Sequence, residues 1–211
     1  MDLTIATLDL KSNPAPVGAI VTSLSAGTFS SMVNATGGGI SPTSSYVYAR
    51  FTRTGITQLA ITDVAALASL DWDIAFRRSI IRLNGGDSGP SCVAAVAIPS
   101  GTNLSTVTSV STGANWVSDS VFSPAPACSF TPDGSGLGTL PLTAVSSWYS
   151  YTGCVAMTGQ VFVVRARDGG QIALTIDSYY EPATSQTTCN QTGTAGTASG
   201  GTIRFRWRYV N

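Results

Sequence analysis

The chain contains no histidine, and its single lysine is Lys11. A serine nucleophile at neutral pH needs a neighbouring base, and histidine is the usual one. That absence bears on "NGGDSGPSC", residues 84 to 92, where Gly86-Asp87-Ser88-Gly89-Pro90 resembles the surroundings of the nucleophile in trypsin-like serine proteases. Lys11 lies in an N-terminal segment rich in turn formers, and nothing in the sequence brings it to Ser88. The second glycine before the proline is also missing, so no oxyanion-hole geometry is implied. Asn84 to Pro90 reads instead as a turn between strands, and the chain as a protein that is not an enzyme.

Charge is scarce as well. Charged residues make up 10% of the chain, against roughly 25% in ordinary soluble domains. Eleven basic and eleven acidic residues cancel, so no electrostatic footprint for nucleic acid or an anionic membrane is visible. Apolar runs all fall short of the roughly eighteen residues that cross a bilayer, which leaves no transmembrane segment. The start, "MDLTIATLDLKSNPAP", lacks a basic region followed by an apolar one and does not read as a secretory signal. If the protein is exported, Met1 then begins its mature part.

Serine, threonine and glycine replace the missing charge, and β-branched and aromatic residues are spread along the chain, as in extracellular β proteins. Four cysteines, Cys92, Cys128, Cys154 and Cys189, stand far apart with no C-x-x-C pair. That spacing argues against a structural zinc site and for two disulfides formed in an oxidising compartment. Three pairings are open. The favoured one joins Cys92 to Cys128 and Cys154 to Cys189, because each bridge would staple a long turn-rich segment.

Alternation of period two dominates, and sustained helical periodicity is nearly absent, which predicts an all-β fold of mostly antiparallel sheets. Strands are expected at Leu3–Leu8, Val17–Thr22, Tyr46–Thr52, Thr57–Thr62, Asp73–Arg77, Ser79–Leu83 and Val93–Ile98. Three more are expected at Gln160–Arg167, Gln171–Tyr180 and Thr202–Val210, the first two joined by a tight Asp168-Gly169-Gly170 hairpin. At most one short helix is expected, near Asp63–Leu70, "DVAALASL". Residues 24–45 and 99–147 read as long loops holding at most short strands, and "PATSQTTCNQTGTAGTASGG", residues 182–201, as a flexible excursion limited only by Cys189.

The last strand, "TIRFRWRYV", places Ile203, Phe205, Trp207 and Tyr209 on one side and Arg204, Arg206 and Arg208 on the other. Such a row of arginines is a candidate contact for anions or carboxylates on a ligand or partner. It is also what the solvated face of a half-buried strand looks like.

Longer stretches carry more specific information. "YVYARFTRTGITQLAITD" from Tyr46 and "WDIAFRRSIIRLNGGDSG" from Trp72 to Gly89 are followed by "WYSYTG" at Trp148 to Gly153. "VFVVRARDGGQIALTIDSYY" at Val161 to Tyr180 and the closing arginine strand complete the series. In order and spacing these resemble the HmuY-like family of bacterial haem-binding proteins, over about residues 44–211. Residues 1–43 fall outside the resemblance and read as an N-terminal extension whose strands pack on the main domain.

The resemblance implies a mostly β, exported lipoprotein or secreted haemophore at the outer-membrane or extracellular surface. It further implies that haem or another flat hydrophobic ligand is captured and passed to an outer-membrane receptor. Family members hold the iron between two side chains from separate loops, histidines in some and methionines in others. Here the second loop corresponds to residues 148–160, which offer Trp148, Tyr149, Tyr151, Cys154 and Met157. The first corresponds to about residues 115–147, which contain no His, Met, Tyr or Lys and only Cys128. Met157 is thus the candidate iron ligand, alone or with Met32 from the N-terminal loop, and Trp148, Tyr149 and Tyr151 are candidate pocket walls. The alternative is a surface or structural subunit that kept the scaffold, lost the clamp and assembles with copies of itself.

Overall fold

A computed structural model describes residues 8–210. Its twelve strands are β1 (Ile20–Ser25), β2 (Thr28–Asn34), β3 (Val47–Thr52), β4 (Gly55–Leu59), β5 (Ile74–Arg77), β6 (Ile80–Leu83), β7 (Ala94–Ala97), β8 (Tyr149–Tyr151), β9 (Val155–Met157), β10 (Val161–Arg165), β11 (Gln171–Glu181) and β12 (Ser199–Val210). They form a six-stranded sheet of order β1-β2-β12-β11-β10-β7, a four-stranded sheet of order β4-β3-β5-β6 and the β8–β9 hairpin. All strand pairs in these sheets are antiparallel. The all-β expectation holds.

The two larger sheets pack face to face through aromatic rings, which supply large apolar area with defined geometry. Phe29 of β2 stacks on Trp207 of β12 with centroids 4.1 Å apart, and Phe51 of β3 meets the same indole edge-on at 5.0 Å. Phe76 of β5 meets Phe205 of β12 at 5.3 Å. Asp73, just ahead of β5, ties the layers at their edge by accepting the backbone N–H groups of Phe51 and Arg167, each at 2.9 Å. On the outer face of the large sheet, Leu104 and Val107 from the loop after β7 cover Val161, Val163 and Ala173 in a second small core.

Most expected strands are present with shifted ends. The first expected strand, Leu3–Leu8, lies outside the described residues except for Leu8. The second, expected at Val17–Thr22, is displaced to Ile20–Ser25, and the segment beyond it holds a seven-residue strand, β2, where a long loop with at most short strands was expected. The reason is a two-residue turn, Ala26-Gly27, in which both residues take positive φ (48° and 76°), the conformation that a tight hairpin needs. Ser30 and Met32 then face outward while Phe29 and Val33 are buried. Residues 20–34 therefore supply two strands to the main sheet.

The helix expected at Asp63–Leu70 is a single turn, α1 (Asp63–Ala66), capped by the Thr62 hydroxyl. A second helix, α2 (Thr184–Thr192), contradicts both the limit of one helix and the flexible excursion expected there. Its Thr, Ser and Asn residues are poor helix formers, and tertiary bonds override that propensity. Gln186 accepts the Tyr179 N–H and donates to the Val155 carbonyl, while Gly193 ends the helix in the left-handed conformation (φ 77°).

Candidate functional site

The serine-protease-like stretch is a structural turn. Ser88 is fully buried, and both its hydroxyl and its carbonyl accept from Arg82, at 3.2 and 2.7 Å. Arg82 also donates to the Tyr48 hydroxyl at 3.1 Å, and that hydroxyl donates to Asp63. Asp63 in turn holds Arg77, the Tyr46 N–H and the Lys11 N–H. The Tyr46 ring lies between the two guanidinium groups, at 4.1 Å from Arg77 and 4.9 Å from Arg82. Paired and stacked in this way, the buried arginines lose less by desolvation.

The glycines around Ser88 serve close approach of the backbone. A Cβ on Gly86, which has φ +60°, would overlap the Asp119 carbonyl, and one on Gly89 would overlap the Asn84 side chain. Asp119 is fully buried beneath this turn, accepting the N–H groups of Leu83 at 3.0 Å and Ala144 at 2.8 Å. Burial pushes its carboxyl up to about 6, against the lowering effect of bonds from Ser88, Ala144 and Leu83 and of the Arg82 charge.

The residues expected to hold a ligand divide into two groups. Trp148 and Tyr149 are core residues, their rings 4.5 Å apart, with Trp148 also packed on Tyr179. The Tyr149 hydroxyl bonds to Ser135 at 2.9 Å and Asp133 at 3.2 Å. Burial raises its pKa, so it is held as a phenol and is a poor iron ligand. Tyr151 is half-buried, with its N–H bonded to the Ser135 carbonyl. These three side chains secure the β8–β9 hairpin and line none of the clefts described below.

Met157, at the end of that hairpin, is half-buried and lines an open groove of ≈ 260 Å³ with Leu104, Val161, Ile176, Asp177 and Arg206. Met32 lines a neighbouring depression of ≈ 420 Å³ with Val21, Arg204 and Arg206. Asp177 and Arg206 belong to both walls, so they stand between the two methionines. A cleft of ≈ 370 Å³ bounded by residues 15–19, 34–38 and 43–47 contains none of the expected ligand residues. Its one charged side chain, Arg77, is buried and paired with Asp63.

The hairpin that carries Met157 is fastened from the other side. Cys154 and Cys189 form a disulfide joining it to α2, as expected. Asn190 of α2 accepts the Met157 N–H at 2.9 Å, and the Tyr180 hydroxyl accepts the Val155 N–H at the same distance. The other expected disulfide is absent: Cys92 and Cys128 are free, exposed thiols. Their sequence neighbourhoods are held by the separate turns at 84–91 and 123–129.

The arginine row of β12 faces outward, as the alternation predicts, and every member has an internal partner. Arg206 makes a two-pronged pair with Asp177 at 2.9 and 2.8 Å, Arg204 pairs with Glu181, and Arg208 donates to the Ser105 carbonyl at 2.7 Å. Only Arg206 also lines the Met157 groove. Sequence reasoning missed Asp177 and Leu104, whose roles depend on long-range pairing and on the loop that folds back over the sheet.

This geometry defines a scaffold of two packed antiparallel sheets with an open groove on one outer face. The family model for HmuY protein matches residues 23–192, and the chain belongs to that family. Among solved structures, a Bacteroides fragilis NCTC 9343 protein described as a lipoprotein superposes with a TM-score of 0.52 at 14% identity, covering 96% of this chain and 98% of that one. A Bacteroides vulgatus ATCC 8482 protein described as an HmuY-like heme-binding protein superposes with a TM-score of 0.51, also at 14% identity and with the same coverage. Among curated proteins, none matches. At these identities the structural likeness establishes the fold.

Proposed function

We propose that this chain is a non-enzymatic binding protein for haem or another porphyrin-type ligand, with Met157 facing the ring. Membership of the HmuY family supports the ligand class. The observation that carries the site is the Met157 groove: a half-buried, soft thioether donor beside Thr102, Asn103, Thr175, Asp177 and Arg206, with the buried Leu104, Val161 and Ile176 beneath. A porphyrin has an apolar ring and carboxylate-bearing edges. The Met157 side chain suits the first, and Arg206, which a ligand carboxylate would share with or take over from Asp177, suits the second.

The donor set does not fit a two-sided clamp. Met32 and Met157 lie on opposite sides of the Asp177–Arg206 pair, Tyr149 is committed to Asp133 and Ser135, and Cys154 is in a disulfide. Axial ligation sets much of a haem protein's affinity and potential. With one thioether at most, affinity rests mainly on the ring and its carboxylates. Likeness to a protein described as a lipoprotein supports a cell-surface location, and passing the ligand on to an outer-membrane receptor is part of the same proposal.

Tryptophan-fluorescence titrations with ferric haem and with metal-free protoporphyrin test this reading. Saturation by both ligands at one equivalent, with dissociation constants within about tenfold, is expected. Absence of saturation by either ligand refutes the proposal.

A further inference from the structure

The six-stranded sheet has one edge covered and one open. At β7, Ala95 exchanges both backbone hydrogen bonds with Val117, at 2.8 and 2.9 Å. At the opposite edge, β1 bonds to β2 alone among the described residues. The Gln58 side chain of β4 reaches Ala19 and Pro16, just ahead of β1, and β4 packs close to β1 without joining its sheet, so the outer backbone groups of β1 stay without ladder partners. Val21 and Leu24 are 59% and 61% exposed.

Edge strands are normally protected by charge, proline or a bulge. β1, "IVTSLS", has no charge and no proline, and it runs against β2 in unbroken register from Ile20↔Val33 to Ser25↔Thr28. The neutrality extends well beyond it, since no charged residue occurs between Lys11 and Arg50.

The free backbone groups can be assigned. Asn34 donates to the Ala19 carbonyl at 2.8 Å, which marks Ala19 and Asn34 as a hydrogen-bonded pair. Antiparallel alternation then turns the N–H and C=O of Val21, Ser23 and Ser25 toward β2 and those of Ile20, Thr22 and Leu24 outward.

We infer that β1 pairs antiparallel with β1 of a second copy of this chain, across a twofold axis at Thr22. This register sets Thr22 opposite Thr22 and Ile20 opposite Leu24, so every outward N–H and C=O of Ile20, Thr22 and Leu24 meets a complementary group. Residues on the core-facing side stay on that side, and the exposed Leu24 covers Ile20 of the copy. The strand carries no charge to repel its own copy or to attract a charged partner, and its outward backbone groups and the Ile20–Leu24 contact match those of a second copy. The arrangement is isologous and closes at two copies because both use the same edge, and Val117 occupies the opposite edge at Ala95. One strand pair is small for an interface, so the dimer is weak and depends on concentration.

Sedimentation velocity over a wide range of concentration tests this, with Thr22→Pro and Leu24→Lys alongside. Thr22→Pro removes an N–H that β2 does not use, and Leu24→Lys places a charge on an exposed position. The expected result is a concentration-dependent dimer in the unaltered protein and a dissociation constant raised more than tenfold in both variants, with circular dichroism unchanged. A monomer at every concentration overturns the inference. So does a dimer that persists undiminished in Leu24→Lys.

Discussion

The Ser88 hydroxyl accepts from Arg82 Nε at 3.2 Å inside the protein, with both side chains fully buried. A serine in a protease-like sequence context is therefore the partner of a buried cation. Ser88→Ala should destabilise the fold by about 2 kcal/mol, because it leaves a charged donor short of one partner. A shift of the urea midpoint with an unchanged slope checks this, and an unshifted midpoint would show that the bond contributes nothing.

Asp119 makes stability depend on pH in an unusual direction. Burial pushes its carboxyl up to about 6 in the folded protein, from the ordinary aspartate value of about 3.9. The folded state thus binds the proton more tightly than the unfolded chain does. The stability it contributes is full below about pH 4 and is lost as pH rises through 6, by up to about 3 kcal/mol. Urea unfolding at pH 4.5 and pH 7 (arbitrary points on either side of this titration) should show the difference. In Asp119→Asn the difference should shrink, although overall stability falls because one of the two backbone N–H groups loses its acceptor.

The Cys154–Cys189 bridge closes a loop across a sequence separation of 35 residues. Loop-closure entropy puts its contribution at about 4 kcal/mol. Replacing both cysteines by alanine should lower the melting temperature and weaken porphyrin binding, since α2 also holds the Met157 backbone through Asn190. Unchanged binding in a folded double variant would separate the bridge from the site.

Much of this architecture is legible in the residue pattern. Alternation in "TIRFRWRYV" predicts which side of β12 is buried, and Ile203, Phe205 and Trp207 are in the core. The Asp168-Gly169-Gly170 turn joins β10 to β11 as its residues predict. Other features are hidden because their cause lies far away in sequence. Helix α2 forms in a segment of helix-poor residues, held by Gln186 and Cys189 through partners on β9 and β11. Strand β2 looks like a loop because serines occupy its outward and some of its inward positions, and Ser31 is buried only where it meets the Trp207 indole N–H.

The candidate site is legible only in part. Met157 stands out as the single soft donor in its segment that is free of a disulfide, and it lines a groove. Trp148 and Tyr149 are indistinguishable from pocket aromatics in the sequence. Their burial follows from the way residues 133–135 fold over the hairpin. The pairing of Arg206 with Asp177 likewise depends on the register of β12 against β11.

An absorption titration with ferric haem, run on the unaltered protein and on Met157→Ala, tests the central claim most directly. The account predicts a Soret shift that saturates at one equivalent, with the band displaced and the affinity lowered in Met157→Ala. A linear, nonsaturating response in the unaltered protein, or identical spectra and affinities for the two proteins, would contradict it.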